Sequence, residues 1–177
     1  MNYTLAELCT QKENQVFERK SARKDTKGLS NHIVAFANAD GGTLVIGIED
    51  NGDITGIDAY TNHVNDILRV PFDYCTPSVR ITTETVECRD KDGNPNHLLI
   101  ITVPQSSELH DNQQDEVYYR MGDKSKKLNF DERLQLMYAK GSRYFEDEPV
   151  FRSTLDDIDM NFVAEYCKKI GYTTSAE

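Results

Sequence analysis

Glu13 and Glu18 are five residues apart on either side of a short apolar stretch, and Asp50 ends a second apolar run, T-L-V-I-G-I-E-D. Carboxylates that converge at strand ends can hold Mg²⁺ or Mn²⁺, hard cations that take oxygen ligands and keep waters for in-line attack on a phosphodiester. The same residues also suit a plainer role. By spacing alone Glu13 and Asp50 read first as solvated loop acids, and Glu18 as the ion-pair partner of Lys20 or Arg23.

Two basic runs accompany these acids. Residues 19–27 hold Arg19, Lys20, Arg23, Lys24 and Lys27 against Asp25, five cations to one acid, net +4. Residues 120–127 hold Arg120, Lys124, Lys126 and Lys127 against Asp123, four to one, net +3. Either run can follow a phosphate backbone, with Tyr118 or Tyr119 near enough in sequence to stack on a base or sugar. A solvated face plus a lysine-rich turn is the alternative.

Other chemistry has less support. The glycines of Asp40-Gly41-Gly42 come before a strand, whereas a phosphate-cradling loop puts them before a helix, and no G-x-x-x-x-G-K-[ST] is present. Cys9, Cys75, Cys88 and Cys167 form no C-x-x-C pair, and His32, His63, His97 and His110 are equally dispersed, so a His/Cys metal site and a disulfide framework are not expected. Coexistence alone connects Cys75 or Cys88 with His97 as a nucleophile pair.

Positioning these residues calls for a mixed fold. Thr4 caps a short helix over T-L-A-E-L-C-T-Q, and Q-V-F-E-R-K reads as a strand. Leu29, Ile33, Phe36 and Ala37 share one helical face over residues 27–39. The run T-L-V-I-G-I-E-D predicts a strand buried on both faces, returning through Asn51-Gly52 as a type I′ hairpin over residues 43–57. A helix over 59–70 should stop before Pro71. S-V-R-I-T-T-E-T-V-E-C and H-L-L-I-I-T-V-P pair as strands, V-Y-Y-R-M is another, and Phe130–Lys140 is a helix with Leu134, Met137 and Tyr138 inward and Gly141 as its stop.

The expectation is an α+β protein: one mixed α/β domain over 1–141, with a central, mostly antiparallel sheet flanked by helices. An acidic linker and helical arm follow over 142–177, with a helix near Asp156–Ile170, reading as the start of a further module cut short. The chain has 177 residues, 20 Lys+Arg against 30 Asp+Glu, net −10, and 38% apolar residues. That charge excludes nucleic-acid binding by general basicity, and any such binding is local. Half of the excess negative charge lies in the arm, where residues 146–177 carry eight acids and three bases. No apolar run reaches the roughly 18–20 residues of a membrane span and no leader pattern opens the chain, so a cytoplasmic protein with free thiols is expected.

The E-N-Q-V-F-E-R-K segment, the basic linker, and H-I-V-A-F-A-N-A-D-G-G-T-L-V-I-G-I-E-D-N-G-D-I-T-G-I together resemble the Schlafen AlbA-type domain, also known as a divergent AAA-like DNA-binding domain. The likeness extends through V-Y-Y-R-M-G-D-K-S and F-D-E-R-L-Q-L-M, covering most of residues 7–141. It implies a mixed α/β fold that binds DNA or RNA, commonly at the N-terminus of bacterial transcriptional regulators, with no cofactor needed for binding. Some relatives carry an ATP-binding label. Animal relatives include endoribonucleases acting on tRNA or rRNA through three metal-associated carboxylates. By motif these fall on Glu13, Glu18 and Asp50, with Mg²⁺ or Mn²⁺ as the implied ion. Arg19 stands where an aromatic is usual, and residues 106–116 are acidic. The catalytic relatives place two lobes in one chain, so a homodimer is the expected way for this one-lobe chain to rebuild a cleft.

Overall fold

The computed structural model describes residues 4–144 and 154–171. The chain divides into two compact units, Met1–Arg143 and Tyr144–Glu177. The first begins with α1 (Leu5–Thr10), where the Thr4 hydroxyl accepts from the Glu7 amide and the Glu7 carboxylate accepts from the Thr4 amide. This reciprocal cap satisfies donors that a six-residue helix cannot satisfy itself.

Four strands form the main sheet: β1 (Phe17–Lys20), β2 (Gly42–Ile46), β4 (Thr82–Arg89) and β5 (Pro95–Val103), in the order β1-β2-β5-β4. β1 runs parallel to β2 and the other pairings are antiparallel. The parallel step needs a crossover, which α2 (Thr26–Asn38) supplies, capped by the Asp25 carboxylate on the Gly28 amide at 2.7 Å. α3 (Thr61–Asp73) follows a single 3₁₀ turn at Asp58–Tyr60. Two short ladders complete the sheets, β3 (Cys75–Thr76) with β6 (Asp111–Asn112) and β7 (Tyr118–Met121) with β8 (Lys124–Lys127). α4 (Phe130–Ala139) has a capping box between Asn129 and Glu132.

The apolar runs of β2 and β5 arise because the sheet is covered on both faces. Leu44, Ile46, Leu99, Ile101 and Val103 pack with Leu29, Ile33 and Phe36 of α2 and with Ile67 and Val70 of α3. Val45, Leu98 and Ile100 pack oppositely with Leu8 of α1, Phe17 and Ile48. The period-two alternation of a strand thus divides one apolar run between two cores.

Three local expectations are corrected. The 43–57 segment is not a laddered hairpin: β2 is already paired on both edges, and Ile48 and Ile54 make only an isolated bridge. Its turn is not type I′, because Gly52 is left-handed (φ 92°) and Asn51 is not. α3 also runs through Pro71, whose missing N–H falls in the last turn, where the Tyr74 amide closes the helix on Val70. Finally, the lysine-rich segment is strand β8, reached from β7 through Gly122-Asp123.

All four cysteines are free. No helix among the described residues is long and apolar enough to cross a membrane. In the second unit a 3₁₀ turn at Leu155–Asp157 precedes α5 (Met160–Lys169), which Asp159 caps. The rest of the acidic segment, residues 145–153 and 172–177, lies outside the described residues.

Candidate functional site

β1 presents Glu18 and Lys20 toward α2, because residues two apart on a strand share a face and Phe17 points into the opposite core. Glu18 is only 2% exposed. Its Oε2 accepts from Arg120 Nη1 and its Oε1 from Lys20 Nζ, with His32 Nδ1 3.6 Å from Oε2. Arg120, from β7, is fully buried. Its guanidinium also donates to the carbonyls of Asn14 (2.8 and 3.1 Å) and Phe17 (3.2 Å) and to Ser125 Oγ (3.3 Å), and lies 4.9 Å from the Phe36 ring centroid. Such a planar fork of donors meets several fixed acceptors at once.

Ser125 of β8 closes the hub, 3.0 Å from His32 Nδ1 on α2. Burial, together with the charges of Lys20, Arg120 and Lys24, pushes the His32 imidazole down to about 3, against the opposing pull of Glu13. His32 is therefore neutral at neutral pH. The hub thus joins β1, α2, β7 and β8, which carry the two basic runs.

Glu13 accepts the Arg19 amide at 3.2 Å and lies 3.6 Å from Lys20 Nζ. Asp50 is elsewhere: exposed, in the turn after β2, on a cleft of about 680 Å³ that neither Glu13 nor Glu18 lines. Among the described residues no group of three His, Cys, Asp or Glu side chains is placed to hold a metal ion. Both Glu18 oxygens already serve cations, so these residues do not fit Mg²⁺ or Mn²⁺.

The acid that does organise the end of β2 is Glu49, which accepts from Thr55 Oγ1 (2.7 Å), Ser21 Oγ (2.9 Å) and Arg23 Nη2 (3.0 Å). Burial opposes ionisation, but these hydrogen bonds outweigh it and hold the carboxyl below its usual range. Glu49 thereby ties the basic linker to the loop after β2.

The expected phosphate-contacting residues divide sharply. Arg120 is a correction: it is inside, held by Glu18, and offers no donor to solvent. Lys20 is largely buried on Glu18 and Glu13, and Arg19 is partly buried with Nη1 on the Cys9 carbonyl at 2.8 Å. Tyr119 is half-buried on a separate cleft beside Asn38 and Lys140. Arg23 is exposed but paired with Glu49, Lys126 with Glu132, and Lys127 with Glu116 at 2.6 Å. Lys24 is half-buried, 3.8 Å from Asp25. Lys27 and Lys124 are exposed, with no acidic partner among the described residues.

Asn38, the last residue of α2, is buried and turns its side chain toward the segments that follow β5. Its amide donates to the His110 (2.8 Å) and Tyr118 (3.0 Å) carbonyls and accepts from the His110 amide (2.9 Å), fixing β7 against α2. Sequence reasoning missed His32, Ser125 and Glu49 as site residues. Only the position of His32 one helical turn before the buried Phe36 hinted at its inward face.

The family model described as Schlafen, AlbA_2 matches residues 13–129. No curated protein matches the chain. Among solved structures, the DIP2311 protein from Corynebacterium diphtheriae is 22% identical, with a TM-score of 0.48, over 87% of this chain and 33% of that one. The chain thus spans about a third of that protein's length. The family match opens at Glu13 and closes at Asn129, the cap of α4, taking in every residue of the Glu18–Arg120 hub. On that match the chain belongs to the Schlafen AlbA_2 family.

Proposed function

We propose that this chain is a nucleic-acid-binding domain that contacts the phosphate backbone through Lys24, Lys27 and Lys124, with Arg23, Lys126 and Lys127 at the margins. The family association with nucleic acid supports this reading. The observation that carries it is the hub: Glu18, Arg120, His32 and Ser125 bring together two basic segments about a hundred residues apart in sequence. Buried ion pairs absorb the inner cations and leave lysines at the surface, where they can replace counterions along a phosphate chain. Binding of this kind requires no cofactor and fits the regulator setting that the resemblance implies.

The test is fluorescence anisotropy with labelled single- and double-stranded RNA and DNA across a salt series. Lys27→Ala and Lys124→Ala should each reduce the log–log salt slope by about 0.9 for a duplex. Slopes unchanged in both variants would remove the reading. The same lobe used twice in a homodimer would double the surface; light scattering should then report twice the 20.2 kDa of one chain.

A further inference from the structure

Away from the hub, Ser106 and His110 form a pair that nucleic-acid binding leaves unused. His110 is 2% exposed. Its Nδ1 is 2.7 Å from the Pro77 carbonyl oxygen and its Nε2 is 2.8 Å from Ser106 Oγ. A carbonyl oxygen can only accept, so in the neutral ring Nδ1 carries the proton and Nε2 accepts from the serine hydroxyl. Ser106 Oγ also accepts the Glu108 amide at 3.1 Å, which leaves one lone pair uncommitted. Ser106 is half-buried and lines a cleft of about 690 Å³ together with His110, Phe72, Val79, Arg80 and Ile81.

A serine turn needs only the amide-to-hydroxyl bond. It does not need a buried imidazole on the hydroxyl whose second nitrogen is seated on a carbonyl. A nucleophile, a base within hydrogen-bond reach and a third group that orients the base are the parts of an activated serine. The loop that presents them is held from both sides: the Ser106 amide donates to the Ala37 carbonyl at 2.9 Å, Lys140 Nζ donates to the Ser106 carbonyl, and Asn38 clamps the His110 backbone.

We propose that Ser106 and His110 are a catalytic dyad for acyl transfer from small carboxylic esters with an apolar acyl group, which Phe72, Val79 and Ile81 would receive. Ser106 Oγ bonds to the ester carbonyl carbon as its proton passes to His110 Nε2 and the carbonyl π pair moves onto oxygen. Return of that pair breaks the bond to the alkoxy oxygen, and the alcohol leaves with the proton from Nε2. Water then repeats the sequence on the acyl-serine, releasing the carboxylic acid and restoring the hydroxyl. Arg80 is the cation on the cleft wall available to the developing oxyanion.

The test incubates the full chain with an alkyl fluorophosphonate, in which a P–O bond to Ser106 forms, the P–F bond breaks, and the serine proton leaves through His110. Intact mass should show one adduct, mapped to the Ser106 peptide and absent in Ser106→Ala. Hydrolysis of p-nitrophenyl acetate should fall at least tenfold in the same variant. Because the buried His110 ring also holds the Pro77 carbonyl, its substitutions risk the fold, and Ser106→Cys provides the second arm: His110 should draw off the thiol proton, and iodoacetamide should alkylate position 106. No adduct at Ser106 in folded protein, or equal ester hydrolysis in Ser106→Ala, would overturn the proposal, as would an unreactive position 106 in Ser106→Cys.

Discussion

The Glu18 carboxylate receives a guanidinium and an ammonium in a space that solvent barely reaches, so its energetics follow from what happens when one partner goes. Removing one member of a buried pair leaves an uncompensated charge, at about 3–5 kcal/mol. Glu18→Gln keeps the shape and removes the charge, so urea unfolding should show a loss of that size. Arg120→Met should cost about as much, and the double variant less than the sum of the two.

His32 sets the pH response at the same place. Its folded value, about 3, lies below the 6.5 of the free side chain, so below pH 6.5 the unfolded chain takes up a proton that the folded chain refuses. Stability should therefore fall with acidification at up to about 1.4 kcal/mol per pH unit. Between pH 6.5 and 4.5 this precedes protonation of the carboxylates that are held low, such as Glu49 and Glu116. The groups around the ring are Lys20, Lys24, Arg120, Glu13 and Glu18. His32→Asn should flatten the stability profile in that window.

At the scale of elements, the hub depends on how closely α2 approaches the sheet. A Cβ on Gly42, at the start of β2, would fall 2.5 Å from the buried Phe36 ring, whose face carries Arg120. Gly42→Ala should therefore cost about 1–3 kcal/mol by overpacking and disturb the ion pair from a distance, visible as a lower melting temperature. Asn38→Ala removes the bonds that fix β7 to α2 and leaves buried backbone groups unpaired, at about 1–3 kcal/mol each. Its signature should be faster hydrogen exchange at the His110 amide than at the α2 amides.

Over the whole molecule, net charge and binding surface have different origins. The chain carries −10, yet Lys27 and Lys124 sit on α2 and β8, which the hub joins, and Lys24 in the linker from β1 to α2. If these three contact about three phosphates, duplex affinity should fall roughly fortyfold between 50 and 200 mM salt. A titration flat over that range would contradict a backbone-contacting mode. Long-range repulsion from the acids should slow association most at low ionic strength, before screening shortens its reach.

Local rules were legible in the sequence alone: the Thr4 cap, the amphipathic α2, the doubly buried strand that became β2, the mixed fold and the family resemblance. Periodicity and capping are properties of neighbouring residues, so they are legible without a partner. Which charges meet depends on the folded chain. Glu18 and Arg120 are 102 residues apart, and no spacing rule makes an arginine in a basic run an interior residue. Likewise, Asp50 shares an acidic turn with Glu49, but the side chain that faces the linker is set by how the loop after β2 packs against Ser21 and Thr55. Burial converts a run of like charges into distinct roles, because desolvation forces each interior cation onto a particular carboxylate while the exterior ones stay hydrated.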